Sequence, residues 1–266
     1  MKIHYHVSID NPKNHQVKVH IKAQRQQKQK QLVFFLPSWS PGSYLMREYA
    51  RHVSSIRALN GNGEFLYFEQ ISKNQWKIDW EKSQLKNPTD EFSFSYEVYC
   101  HELTVRTSHV DESHAFLHGP SYLMGIEGES LHRPTISLEF PGLWSKVHTG
   151  LKDISANRQE FLFEASDYDT LIDAPIEIGC HDSDGFRVMG KDHHVAFFGQ
   201  AYGHDATSLK KDMQTIVEHI SSNFGDMPYD QYVFMTHFAP NKFGGLEHLN
   251  STALQFDGRK LGVRKH

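Results

Sequence analysis

Apolar and polar residues alternate through most of the first two-thirds of the chain. Ile3, Tyr5, Val7 and Ile9 recur with period two, as do Val17, Val19 and Ile21. The pattern returns at Trp76, Ile78 and Trp80, at Phe92, Phe94, Tyr96 and Val98, and at Ile136, Leu138 and Phe140. Successive side chains of a strand point to opposite faces, so this period predicts strands with one buried face. Asn60-Gly61-Asn62-Gly63 and Pro141-Gly142 separate the runs as turns. Residues 1–170 are expected to form an antiparallel all-β domain of sandwich type.

The pattern changes near residue 170. Ile176, Ile178, Phe186, Val188 and residues 195–198 still read as strands. Leu209, Met213, Ile216, Val217, Ile220 and Phe224 then follow helical spacing. Asp205 or Thr207 is expected to cap this helix, Gly225 to end it, and Pro228 follows the stop. A further strand over 232–238 leads to a glycine pair. The expectation is a second, smaller α+β domain over 171–266. It looks incomplete, because one long helix does not cover both faces of a sheet.

Composition narrows the function. The 266 residues suffice for one large or two ordinary domains. Net charge is −4, and the basic stretch from Lys22 to Lys30 is interleaved with glutamines. No electrostatic nucleic-acid surface is expected. Cys100 and Cys180 are too few for a disulfide framework and wrongly spaced for a metal knuckle. No apolar run is long enough to span a membrane. A cytoplasmic location is the expectation, or a periplasmic one if a leader has been removed.

The candidate chemistry is concentrated in three segments. Phe243-Gly244-Gly245-Leu246-Glu247-His248 follows a predicted strand and reads as an exposed sheet edge. A peptide can add a strand to such an edge, and Glu247 can then meet its free ammonium end. The ordered turn Leu36-Pro37-Ser38-Trp39-Ser40-Pro41-Gly42-Ser43-Tyr44 reads either as a rigid loop, pinned by Trp39 and Tyr44, or as the wall of a cleft. His109, Asp111 and His114 offer metal-binding residue types, but histidines five apart suit neither a helix face nor a strand face. A polar loop, either lining a ligand cleft or simply hydrogen-bonded, is the reading there. His-Glu-x-x-His is absent: His101-Glu102 lacks the second histidine, and Glu218-His219 has no partner at the required spacing. The glycines form no phosphate loop, and no nucleophile elbow occurs.

Residues 36–44 with Arg47-Glu48-Tyr49, then His109-Val110-Asp111 through His114, then Asp173-Ala174-Pro175-Ile176-Glu177-Ile178-Gly179, then Gly244-Gly245-Leu246-Glu247-His248 resemble, in this order, the bacterial glycyl aminopeptidases. These are zinc metallopeptidases of the gluzincin group (peptidase family M sixty-one), many with a PDZ domain downstream. The resemblance implies a β-rich N-terminal domain followed by the opening segment of a thermolysin-like catalytic domain. It implies that Glu247 takes the substrate α-amine and that Gly244, Gly245 and Leu246 supply the edge. His248 stands where related aminopeptidases have Asn. Tyr44, His109, Asp111 and His114 are further candidates for contact with a peptide bearing a free N-terminus.

The family places its zinc helix beyond this edge, so the protein ligands of zinc are expected outside this sequence. The chain alone is then expected to bind no metal and to be inactive. It would be the N-terminal part of an enzyme removing an N-terminal residue, such as glycine. The other class is a non-catalytic peptide-binding or interaction protein built on the same β domain.

Overall fold

The computed structural model describes residues 1–26, 29–40, 42–157, 159–202 and 206–261. Strands β1 (Ile3–Ser8), β2 (Gln16–Gln24), β3 (Gln31–Phe35), β4 (Val53–Asn60), β5 (Tyr67–Ser72), β6 (Gln75–Asp79) and β7 (Glu91–Tyr99) come first. Then follow β8 (His109–Val110), β9 (His114–Leu117), β10 (Gly125–Ile126), β11 (Thr135–Glu139), β12 (Lys146–Thr149), β13 (Lys152–Asp153) and β14 (Leu162–Glu164). Helix α1 (Tyr168–Asp173) precedes β15 (Ile176–Gly179), β16 (Asp182–Val188) and β17 (Lys191–Gly199). Helix α2 (Ala206–Phe224) leads to β18 (Gln231–Phe238), β19 (Phe243–Glu247) and β20 (Ser251–Phe256). The protein is mainly β with a smaller α+β part, as the alternation predicts.

Three sheets build the N-terminal body. Their orders are β13-β14-β11-β1-β2-β7-β4, β10-β3-β6-β5 and β12-β15-β9-β8. Pairing is antiparallel except between β1 and β11, which run parallel. The period-two residues do what the pattern requires. Tyr5, Ile21, Phe34, Ile78 and Phe94 belong to one continuous apolar core that extends to Ile178. Phe34 and Phe94 stack across two sheets at 4.2 Å. Strand β15 is part of this body, so the changeover to the last sheet falls between Gly179 and Asp182.

The last sheet has the order β16-β17-β18-β20-β19. Its central strand β18 lies parallel to both neighbours and is buried on both faces. Val195, Phe197 and Phe238 pack with Leu209 and Met213 of α2. Val233, Met235, Leu246 and Ala253 pack with Val105 and Phe116 of the N-terminal body. The expectation that one helix cannot cover both faces is met by a different solution: the N-terminal body covers the second face. Gly225 ends α2 at φ +83, its amide donating to Ser221 O at 2.9 Å. Thr207 lies inside α2 and does not cap it, while Asp205 is outside the described residues. The short helix α1 escapes the apolar pattern; Asp167 caps it by accepting from Thr170 N at 2.8 Å.

Candidate functional site

Strand β19 ends the sheet, so among the described residues its outer side carries no strand partner. It pairs antiparallel with β20, Gly244 opposite Gln255, Gly245 opposite Leu254 and Glu247 opposite Thr252. A Cβ added at Gly244 would meet nothing closer than Val105 Cγ2 at 3.8 Å. Internal packing therefore does not demand that glycine, and its bareness leaves the backbone open to an incoming chain. Arg106 Nη2 donates to Gly245 O at 3.3 Å and ties the strand to the N-terminal body. Leu246 is buried and anchors the strand, whereas Glu247 is exposed. Among the described residues the Glu247 carboxylate makes no hydrogen bond or ion pair.

The 36–44 turn closes over this end of the strand. Trp39 Nε1 donates to Ser43 O at 2.7 Å and Arg47 N to Ser38 O at 2.6 Å, which fixes the loop. Gly42 adopts φ +75, and a Cβ there would sit 2.8 Å from Leu246 Cδ1 and 3.6 Å from Glu247 Oε1. Residue 41 lies outside the described residues. Trp39, Ser40, His118, Asp173, Glu247 and His248 line a cavity of about 690 Å³. The cleft-wall reading of the turn is thus the one the geometry favours. Tyr44, expected to pin the loop, instead has a fully exposed side chain (100 %) and is not among the residues lining the cavity.

Two buried imidazoles give the cavity its polarity. His248 Nδ1 donates to Asp173 Oδ1 at 3.1 Å, and Leu249 N donates to Asp173 Oδ2 at 2.8 Å. Burial works to raise Asp173, but these two donors outweigh it and hold the carboxyl below its ordinary range. His248 Nε2 and both ring nitrogens of His118 are buried without a partner among the described residues. Burial, with His248 second, pushes His118 down to about 3, so its ring is neutral at neutral pH.

The other candidates lie elsewhere. His109 Nε2 meets Asp111 Oδ2 at 3.1 Å across the β8–β9 hairpin. Burial tends to raise Asp111, but hydrogen bonds from Ser113, His109 and the His114 amide hold it far below its ordinary value. His114 turns inward to Glu177. None of the three lines the cavity beside Glu247. The sequence reading did not single out His118, nor the roles of Asp173, Glu177 and His237. For Glu177 a signal existed: a lone carboxylate between Pro175-Ile176 and Ile178 sits in an otherwise apolar run.

Residues 4–180 match the family model described as the Peptidase M61 N-terminal domain. A crystal structure of an aminopeptidase N family protein from Idiomarina loihiensis superposes with a TM-score of 0.87 at 31% identity, over 99% of this chain and 44% of that one. An M1 zinc metallopeptidase mutant from Deinococcus radiodurans, bound to a Tyr-Ser-Ala substrate, gives 0.56 at 11% identity, over 95% and 59% of the two chains. Native yeast LTA4 hydrolase gives 0.57 at 12% identity, over 96% and 40%. The chain therefore spans less than half of the Idiomarina protein, and the two distant structures share its fold. A search of curated proteins found no match. A His-Glu-x-x-His zinc set does not occur in these residues, so no zinc-dependent step is assigned to them. With two-thirds of its length matched, the chain belongs to the peptidase M61 family and carries that family's N-terminal domain.

Proposed function

We propose that this chain is the substrate-holding part of a zinc-dependent aminopeptidase, its N-terminal β body joined near residue 180 to the start of the catalytic domain. In this reading a peptide lies along the open side of β19 and its ammonium group meets Glu247. The observation that carries it is the Glu247 carboxylate, without a partner among the described residues, at the end of a glycine-bearing edge strand and on the rim of a cavity that Trp39 and Ser40 of the 36–44 turn help to line. An ammonium and a carboxylate form a charge-assisted hydrogen bond, which also sets the peptide's register. Zinc, held by residues outside this sequence, would supply the hydrolytic chemistry. Preference for glycine or another small first residue is part of the proposal.

The test compares a tripeptide with its N-acetylated form, by amide shifts of β19 in the wild-type chain and in Glu247→Gln. The free peptide should bind about tenfold more tightly, the lower end of a charged hydrogen bond because the carboxylate is exposed. Glu247→Gln should remove that preference while leaving the acetylated peptide unchanged. Equal binding of both peptides to the wild type would favour a general peptide-interaction role instead.

A further inference from the structure

Where the last sheet meets the N-terminal body, three side chains from three strands converge on one point. Glu177 lies in β15, His114 in the adjacent β9, and His237 in β18 of the last sheet. His114 Nδ1 donates to Glu177 Oε1 at 2.7 Å, and His237 Nε2 donates to Glu177 Oε2 at 2.7 Å. All three residues are 1 % exposed, and one nitrogen or oxygen of each lies within 4.8 Å of the other two. The walls are mostly aromatic: Phe198 stacks on His114 at 3.5 Å and Phe116 meets His237 edge-on at 4.9 Å. His109 flanks His114 at 5.2 Å between ring centroids, and His181, paired with His148, lies close by.

The hydrogen bonds leave the histidines unfinished. His114 Nε2 and His237 Nδ1 are buried with no partner among the described residues. Two imidazoles and one carboxylate, converging from rigid strands, are also the donor set that zinc takes in a three-ligand site. The nitrogens paired with Glu177 lie 2.7 Å from its oxygens, so an ion bound there would replace the shared hydrogens and move each imidazole outward by about half an ångström. We propose that His114, Glu177 and His237 bind a divalent transition metal, zinc foremost, which staples β18 to β9 and β15. Imidazole ligands favour the later first-row ions, while hard ions such as calcium and magnesium prefer oxygen-rich shells. The proposal departs from the expectation that this chain holds no metal.

The competing set is His109, Asp111 and His114, whose ligand atoms also lie within 4.8 Å. It is disfavoured because Asp111 is satisfied by its own loop and by His109. The experiment treats the whole chain, purified without a polyhistidine tag, with a chelator and titrates it with cobalt(II). One equivalent should bind and give the visible bands of a low-coordinate site, zinc should displace it, and thermal unfolding should shift upward. Glu177→Gln preserves shape and should weaken cobalt binding by more than the roughly 10–100-fold that loss of an outer-sphere partner costs. His109→Gln should bind like the wild type. Absence of a bound equivalent in the wild type overturns the proposal whether or not any variant folds. So does loss of binding in His109→Gln with retention in Glu177→Gln, or equal affinity in all three proteins.

Discussion

At the scale of single residues the cavity is governed by the neutral imidazole of His118. His118 is fully enclosed, and protonating it there would bury a charge with no counter-ion in contact. Its folded value of about 3 lies below the ordinary histidine value near 6.5, so the unfolded chain binds the proton more readily. This contribution to stability is complete above pH 6.5 and is lost as the pH falls toward 3. Burial with His181 beside it lowers His148 to about 4, which adds to the same slope. Stability should fall between pH 7 and 5 by about 2 kcal/mol from His118 alone. Urea unfolding at pH 7 and pH 5 checks this. His118→Asn should lose less stability over that interval than the wild type, and an equal loss in both would assign the effect to other groups.

At the scale of elements, the 36–44 turn and β19 act together. Gly42 stands at φ +75 and faces Leu246 and Glu247. An alanine there meets two obstacles, a disfavoured backbone region and a Cβ 2.8 Å from Leu246 Cδ1. Gly42→Ala should cost about 1 kcal/mol or more in stability and displace the turn from the strand. In the peptide experiment it should weaken free and acetylated peptides alike, unlike Glu247→Gln. A variant that binds both as the wild type does would detach the turn from the site.

The long elements were legible in the sequence because burying one face imposes a period, as in β1, β2 and β7. The edge at Gly244-Gly245 was legible because glycines in a strand have few other uses. Strands of two residues, such as β8, β10 and β13, have no period to show. Glu177 and His237 are 60 residues apart and meet only through two sheets packing together, so no local pattern could pair them. Tyr44 has the residue type of an anchor in a proline-rich turn, but its side chain stands in solvent and Trp39, through Ser43 O, holds the turn instead.

At the scale of the whole molecule, the question is whether the two parts unfold as one. The N-terminal core is continuous from Ile3 to Ile178, whereas the last sheet depends on two small clusters, one on each face. Helix α2 covers its face only partly, for Ile216, Ile220 and Phe224 remain 58 %, 50 % and 80 % exposed. On the other face, Val233, Met235 and His237 point at the N-terminal body, as alternation along β18 requires. Met235 is fully buried in that junction. Met235→Ala removes apolar contact and leaves a cavity, at a cost of roughly 2–5 kcal/mol. If the parts are separate cooperative units, that cost falls on the last sheet alone. Hydrogen exchange in the variant should accelerate at β17, β18, β20 and α2, while the amides of β1, β2 and β7 keep their wild-type rates. The same acceleration in β2 and β7 would show a single cooperative unit and sink the two-part reading.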